Sequence, residues 1–254
     1  MILRIVLFYL LAFFFTFLMG GIQQAVGIST ELSALPQWGP GLAGILMALI
    51  FRKDQLRLNF KLKEAPRSKF LWALLLPLIP AAVLFPIIWF THESFRFQSD
   101  ITSPIALLLM SLALGAVGEE TGWRGYLHAR LDRDLKPLVS SAIVALLWTL
   151  WHVGFYQNGA LYVLFAVVAF TGFSITLYYL VREIDFNIWV ASLFHFGINL
   201  ASLFYISVVN QVSFMLLNAL AWAVIATIVV IRQGRRNQNG RSPRVKQSTG
   251  AGIE

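Results

Sequence analysis

Read for hydropathy alone, the chain alternates long apolar runs with short polar breaks. A helix needs about 17 to 25 apolar residues to cross a bilayer, and eight such runs can be placed. They cover 2–19, 35–51, 70–90, 103–122, 138–155, 160–181, 188–209 and 212–231. The second is short and carries Pro36, Pro40 and several glycines. The pattern predicts an all-α polytopic membrane bundle of about eight transmembrane helices, one domain over residues 1–231. Residues 232–254 read as a basic tail rich in Gly, Gln and Ser, expected to be disordered. The first run has Arg4 as its one positive charge, is long, and meets no small-x-small cleavage site before Gln23. It is read as a retained helix rather than a leader.

Composition agrees: 58% of the residues are apolar and 13% charged, where a soluble domain carries nearly twice that share of charge. A net charge of +8 would ordinarily raise a nucleic-acid partner, but the placement of the charges argues against one. With the N-terminus in the cytoplasm, nineteen of the twenty Lys and Arg fall on the cytoplasmic side, at Arg4, in the loops near 52–69, 124–136 and 182 and in the tail. Arg96 alone falls outside. That bias is the positive-inside rule, and it puts both termini in the cytoplasm. The basic residues border helices and form no aromatic-studded groove of the kind that tracks nucleic acid. Absence of cysteine removes disulfides and thiolate ligands. The compact chain is read as a prokaryotic plasma-membrane protein, in contact with lipid.

Ionisable groups inside spans are costly and mark function. The fourth run ends in Glu119 and Glu120, with Arg124 one turn beyond Glu120. His152 closes the fifth run with Trp148 one turn before it, and the seventh carries His195 with Asn199 one turn on. A carboxylate pair, two imidazoles and a carboxamide thus sit on three helices. Simpler roles exist for each. Glu120 and Arg124 suit an ion pair at a helix end, the histidines and Asn199 interhelical hydrogen bonds, and Trp148, Trp151 and Trp189 packing. Gly115, Gly118, Gly122 and Gly125 recur at helical steps, leaving one face nearly bare. That face is expected to let the histidine-bearing helices approach the carboxylates.

The three motifs, Glu119-Glu120-x-x-x-Arg124-Gly125, Trp148-x-x-x-His152 and His195-x-x-x-Asn199, resemble the CAAX-protease and bacteriocin-processing (CPBP or ABI) family of intramembrane endopeptidases. The Ras-converting type of CAAX prenyl protease is its eukaryotic representative. The second motif usually begins with Phe, where this chain has Trp148. The resemblance implies hydrolysis of a peptide bond in a membrane-associated peptide or protein. Glu119 with His152 would activate water, His195 and Asn199 would stabilise the oxyanion, and Glu120 and Arg124 would support them. General chemistry agrees, since hydrolysis needs a base near the working pH and donors aimed at the developing oxyanion.

Zinc held by Glu119, His152 and His195 is an alternative, although no His-Glu-x-x-His helix occurs; a metal-free glutamate mechanism is the preferred expectation. Two other functions use the same residues: a proton-coupled transporter, and a non-catalytic membrane immunity factor or scaffold. Because the fourth run ends on the basic side, the site is expected to open to the cytoplasm. One reckoning does not close. Ending the fourth helix at 122 puts Glu119 near the cytoplasmic surface, whereas His152 comes out roughly 21 Å deep.

Overall fold

A computed structural model describes residues 1–29, 32, 34–92, 95 and 103–238. Eight principal helices occupy them, and no strand occurs among the described residues. They are α1 (Ile2–Ala25), α2 (Ala34–Ile50), α3 (Arg67–Thr91), α4 (Ile105–Leu131), α5 (Pro137–Trp151), α6 (Ala160–Val181), α7 (Ile188–Phe204) and α8 (Val212–Gln238). Five of these, α1, α3, α4, α6 and α8, are long and apolar enough to cross a membrane; α2, α5 and α7 are shorter apolar helices. Large apolar side chains such as Leu3, Phe17, Phe90, Leu161 and Val224 stand exposed on the outer faces, the arrangement a lipid solvent favours.

Several boundaries differ from expectation: α1 runs on to Ala25, α7 stops at Phe204, and three others shift as follows. The fourth helix does not stop at 122: an α-helix over Ile105–Glu120 passes into a π-helix over Thr121–His128 and closes with Ala129–Leu131. The fifth ends at Trp151, because His152 leaves helical geometry (ψ 70°) and a 3-10 turn follows over Val153–Asn158. The eighth runs on to Gln238, so the first residues of the expected tail are helical. The rest of the tail, 239–254, lies outside the described residues, as does Arg96.

Hydrogen bonds tie the loops into two opposite ends. At the basic end Arg133 Nη1 donates to the Asp54 carbonyl (2.5 Å), Lys69 Nζ to the Leu180 carbonyl (2.8 Å) and Asn59 Nδ2 to the Ile184 carbonyl (3.1 Å), and Arg4 pairs with Asp54. At the other end His92 meets Ser213 (2.9 Å), the Tyr162 hydroxyl donates to the Val209 carbonyl (3.0 Å), and Asn158 donates to Asn210 (3.4 Å).

The glycine stripe serves α2, not the histidine-bearing helices. A Cβ on Gly118 would come within 2.9 Å of the Gln37 carbonyl oxygen, and one on Gly122 within 2.1 Å of that of Pro40. In return Gly41 faces the Gly118 carbonyl and Gly44 the Gly122 Cα. Small residues on both helices let the two backbones touch, as in membrane crossings generally. Gly125 is the exception, meeting Ile188 at the start of α7.

Candidate active site

The carboxylates sit where α4 changes its winding. Thr121 Oγ1 donates to the Val117 carbonyl (2.7 Å), and the π turns that follow place Trp123, Arg124, Gly125 and Tyr126 in the interior together. Trp123 and Tyr126 pack on Phe8 of α1. A wide turn of this kind is rare and occurs disproportionately at functional sites.

Glu119, Glu120 and Arg124 are all fully buried. Arg124 Nη1 donates to Glu120 Oε1 at 3.0 Å, and Nη2 to Ser174 Oγ on α6 at 3.2 Å. Its guanidinium lies 4.1 Å from the Trp148 ring centroid, a cation–π contact. The same Glu120 oxygen meets His195 Nδ1 at 2.8 Å. Glu120 therefore joins an arginine and a histidine from another helix, and is no surface ion pair. An ionised carboxylate only accepts, so His195 donates from Nδ1 and its Nε2 is left for the cavity.

Glu119 turns to α5 instead. Its Oε2 accepts the Trp148 indole N–H at 2.7 Å, while Oε1 is buried without a partner. His152 Nδ1 lies 2.8 Å from the Trp148 carbonyl. A carbonyl accepts only, so Nδ1 carries the hydrogen and Nε2 of the neutral ring is a lone-pair site. The ring stacks on Phe155 (centroids 4.9 Å, planes 14° apart) and stands edge-on to Phe170. Trp148 is the hub: its indole binds Glu119, and its ring lies 5.9 Å from His152 and 5.2 Å from His195, centroid to centroid. The charge of Glu119 is within electrostatic reach of both imidazoles.

A cavity of about 300 Å³ is lined by His152, His195 and Asn199, with Trp148 as part of its wall. Asn199 Nδ2 is buried with no partner, and an orphaned amide hydrogen is costly unless something fills its place. Glu119 is absent from the lining and lies behind the indole.

The cavity extends away from the basic loops. From His195 and Trp148 it passes Tyr162, Val209, Asn210 and Phe214, which belong to the opposite end. An opening on the basic side, as expected from the sequence, does not match this lining.

The depth discrepancy closes to a few Å with the same geometry. Measured from the basic end at Leu131, Glu119 is about 18 Å deep, and His152 is about 22 Å from Pro137. The helix boundary at 122 was the error, because the Gly-Trp-Arg-Gly stretch continues the helix toward the basic end.

The structure brings Glu120, Arg124 and His195 into direct contact, and gathers Glu119, His152 and Asn199 around the same indole and cavity. It does not bring Glu119 and His152 into direct contact; they meet Trp148 on different atoms. No group of three His, Cys, Asp or Glu gathered to hold a metal occurs among the described residues. The donor set proposed for zinc is divided: Glu119 is held by the Trp148 indole and stands outside the cavity that both histidines line, so Glu119, His152 and His195 do not fit a zinc site in this arrangement. Sequence reasoning missed two contributors. Trp148 was read as packing, although a buried indole N–H requires a partner, which was the available signal. Ser174 carried none.

Residues 101–201, which contain all of these motifs, match the family described as type II CAAX prenyl endopeptidase, Rce1-like. Similar proteins include Lysostaphin resistance protein A of Staphylococcus epidermidis, 26% identical over 191 residues, covering 73% of this chain and 50% of that protein. The protein of the same name in Staphylococcus haemolyticus is 24% identical over 215 residues, covering 81% and 58%. CAAX prenyl protease 2 of Methanococcus maripaludis is 32% identical over 117 residues, covering 42% of each. The chain spans about half the length of the curated relatives it matches. The likeness read from the three motifs is therefore shown in the segment that carries them. Its apolar helices and its bacterial and archaeal relatives make the chain a multi-pass integral protein of a prokaryotic plasma membrane.

Proposed function

We propose, from the Rce1-like endopeptidase family that residues 101–201 match, that this chain is an intramembrane endopeptidase acting on a membrane-associated peptide or protein. All eight helices span the membrane in this reading, as one domain with both termini cytoplasmic and a basic tail near the anionic surface. The observation that carries the activity is the convergence of Glu119, His152 and His195 on one indole beside a cavity.

Water held by His152 Nε2, under the field of Glu119, attacks the scissile carbonyl carbon and gives its proton to this pair. The carbonyl oxygen becomes an oxyanion held by the Asn199 amide N–H and by His195. His195 donates from Nε2 when protonated, with the Glu120 carboxylate accepting from Nδ1. Collapse expels the amine, which takes the proton, leaving a carboxylate and an amine. Arg124 is a positioning residue: it fixes Glu120 and so the plane of His195. No step is routed through a metal.

The test uses purified protein in liposomes with a membrane-inserted reporter peptide. Glu119→Gln, His152→Ala and His195→Ala are each expected to lower the cleavage rate by at least roughly 10², the size typical for loss of one such group. Cleavage that survives all three refutes the reading. The relatives named for lysostaphin resistance favour one second reading, a protective role through binding alone. A host strain carrying Glu119→Ala separates the two, since a binding role leaves its phenotype intact.

A further inference from the structure

The cavity has two properties that the proposed chemistry does not require. Among the described residues its lining holds no Asp, Glu, Lys or Arg and is aromatic and aliphatic (Phe155, Phe170, Phe214 and Trp222 among others). Yet three carboxamides face it from two sides: Asn199 on α7, Asn218 on α8, and Asn210 in the turn between them. An amide group facing an apolar membrane cavity costs free energy unless it is paired. Asn199 Nδ2 has no partner, and Asn218 Nδ2 has only the Met215 sulfur at 3.9 Å. Each carboxamide carries both a donor and an acceptor, which is the complement of a peptide group. An extended chain presents peptide groups alternately to its two sides, so amides on facing helices suit a single strand lying between α7 and α8. The apolar walls exclude charged side chains from that strand, because an unpaired charge there would be desolvated.

The route is equally constrained. The cavity reaches Tyr162, Asn210 and Phe214, at the end opposite Asp54, Lys69 and Arg133. Given the positive-inside rule, that end faces away from the cytoplasm.

We propose that the cavity admits an uncharged, apolar peptide segment in extended form from the end opposite the basic loops, with Asn199, Asn210 and Asn218 hydrogen-bonding its backbone. The nature of the occupant rests on the endopeptidase reading; the route does not.

The absence of cysteine makes single-cysteine variants direct reporters. Ser202→Cys and, as a second reporter, Ala201→Cys line the cavity; Lys63→Cys marks the basic end and Ser213→Cys the opposite rim. A small membrane-impermeant methanethiosulfonate added to intact cells is expected to modify S202C, A201C and S213C, and K63C only after permeabilisation. In the S202C/E119Q double variant, an uncharged apolar decapeptide is expected to slow modification about tenfold. The same peptide with two Asp residues is expected not to protect, and Asn218→Leu to abolish protection without changing the unprotected rate. Modification of S202C and A201C from the basic face alone overturns the route, and equal protection by the Asp-bearing peptide overturns the occupant. If the labelling pattern holds while the unsubstituted protein leaves the reporter peptide uncut, the endopeptidase reading fails and the route stands.

Discussion

At the scale of single residues, the site consists of two carboxylates with different partners. Glu119 is held by an indole N–H, Glu120 by a guanidinium and an imidazole. Trp148→Phe keeps a ring for Arg124 and both histidines but removes the hydrogen on Glu119. A hydrogen bond to a charged group contributes about 1.5–3 kcal/mol, so kcat is expected to fall roughly 10- to 100-fold with KM within twofold, measured on the reporter peptide. Arg124→Leu strands the buried Glu120 carboxylate. Breaking such a pair costs about 3–5 kcal/mol, expected as a clear drop in the thermal unfolding midpoint in detergent. The ionisable members were legible in the sequence because Glu, His and Arg are rare and costly inside apolar runs. The indole N–H was not, since tryptophan in a span looks like packing. Ser174 was hidden for a similar reason: a helical serine usually bonds its own helix.

At the scale of elements, the eight apolar runs became eight helices with ends shifted by up to nine residues, because bilayer-length hydropathy is a strong local signal for the element and a weak one for its ends. What failed was the partner of the glycine face. A bare face announces a close neighbour but not which one, since that depends on contacts distant in sequence. Gly41 and Gly44 of α2 supply the matching face. Gly122→Ala would drive a methyl against the Pro40 carbonyl, and overpacking of this kind costs about 1–3 kcal/mol. The expected result is a lower unfolding midpoint for Gly122→Ala with little change for Gly234→Ala, whose surroundings are open.

At the scale of the whole molecule, the charge pattern marked one end of the bundle correctly, as the loops that hydrogen-bond to one another there show. The direction of the cavity was not legible, because helix order says nothing about where voids lie. Reporter fusions at 63 and 210 are expected to read cytoplasmic and external respectively; the reverse result would invert the orientation. The π-helix over Thr121–His128 governs how these parts stay in step. Along α4, Gly122 faces α2, Trp123 faces α1, Arg124 reaches α6 and Gly125 meets α7. Each residue of an α-helix advances the phase by about 100°. One further residue between 121 and 128, which the winding would have to carry as an ordinary helical step, would turn the segment carrying Glu119 and Glu120 by that angle against everything anchored beyond it. Substitutions in this stretch can be absorbed one contact at a time; a single-codon insertion would put both carboxylates out of phase with their partners at once.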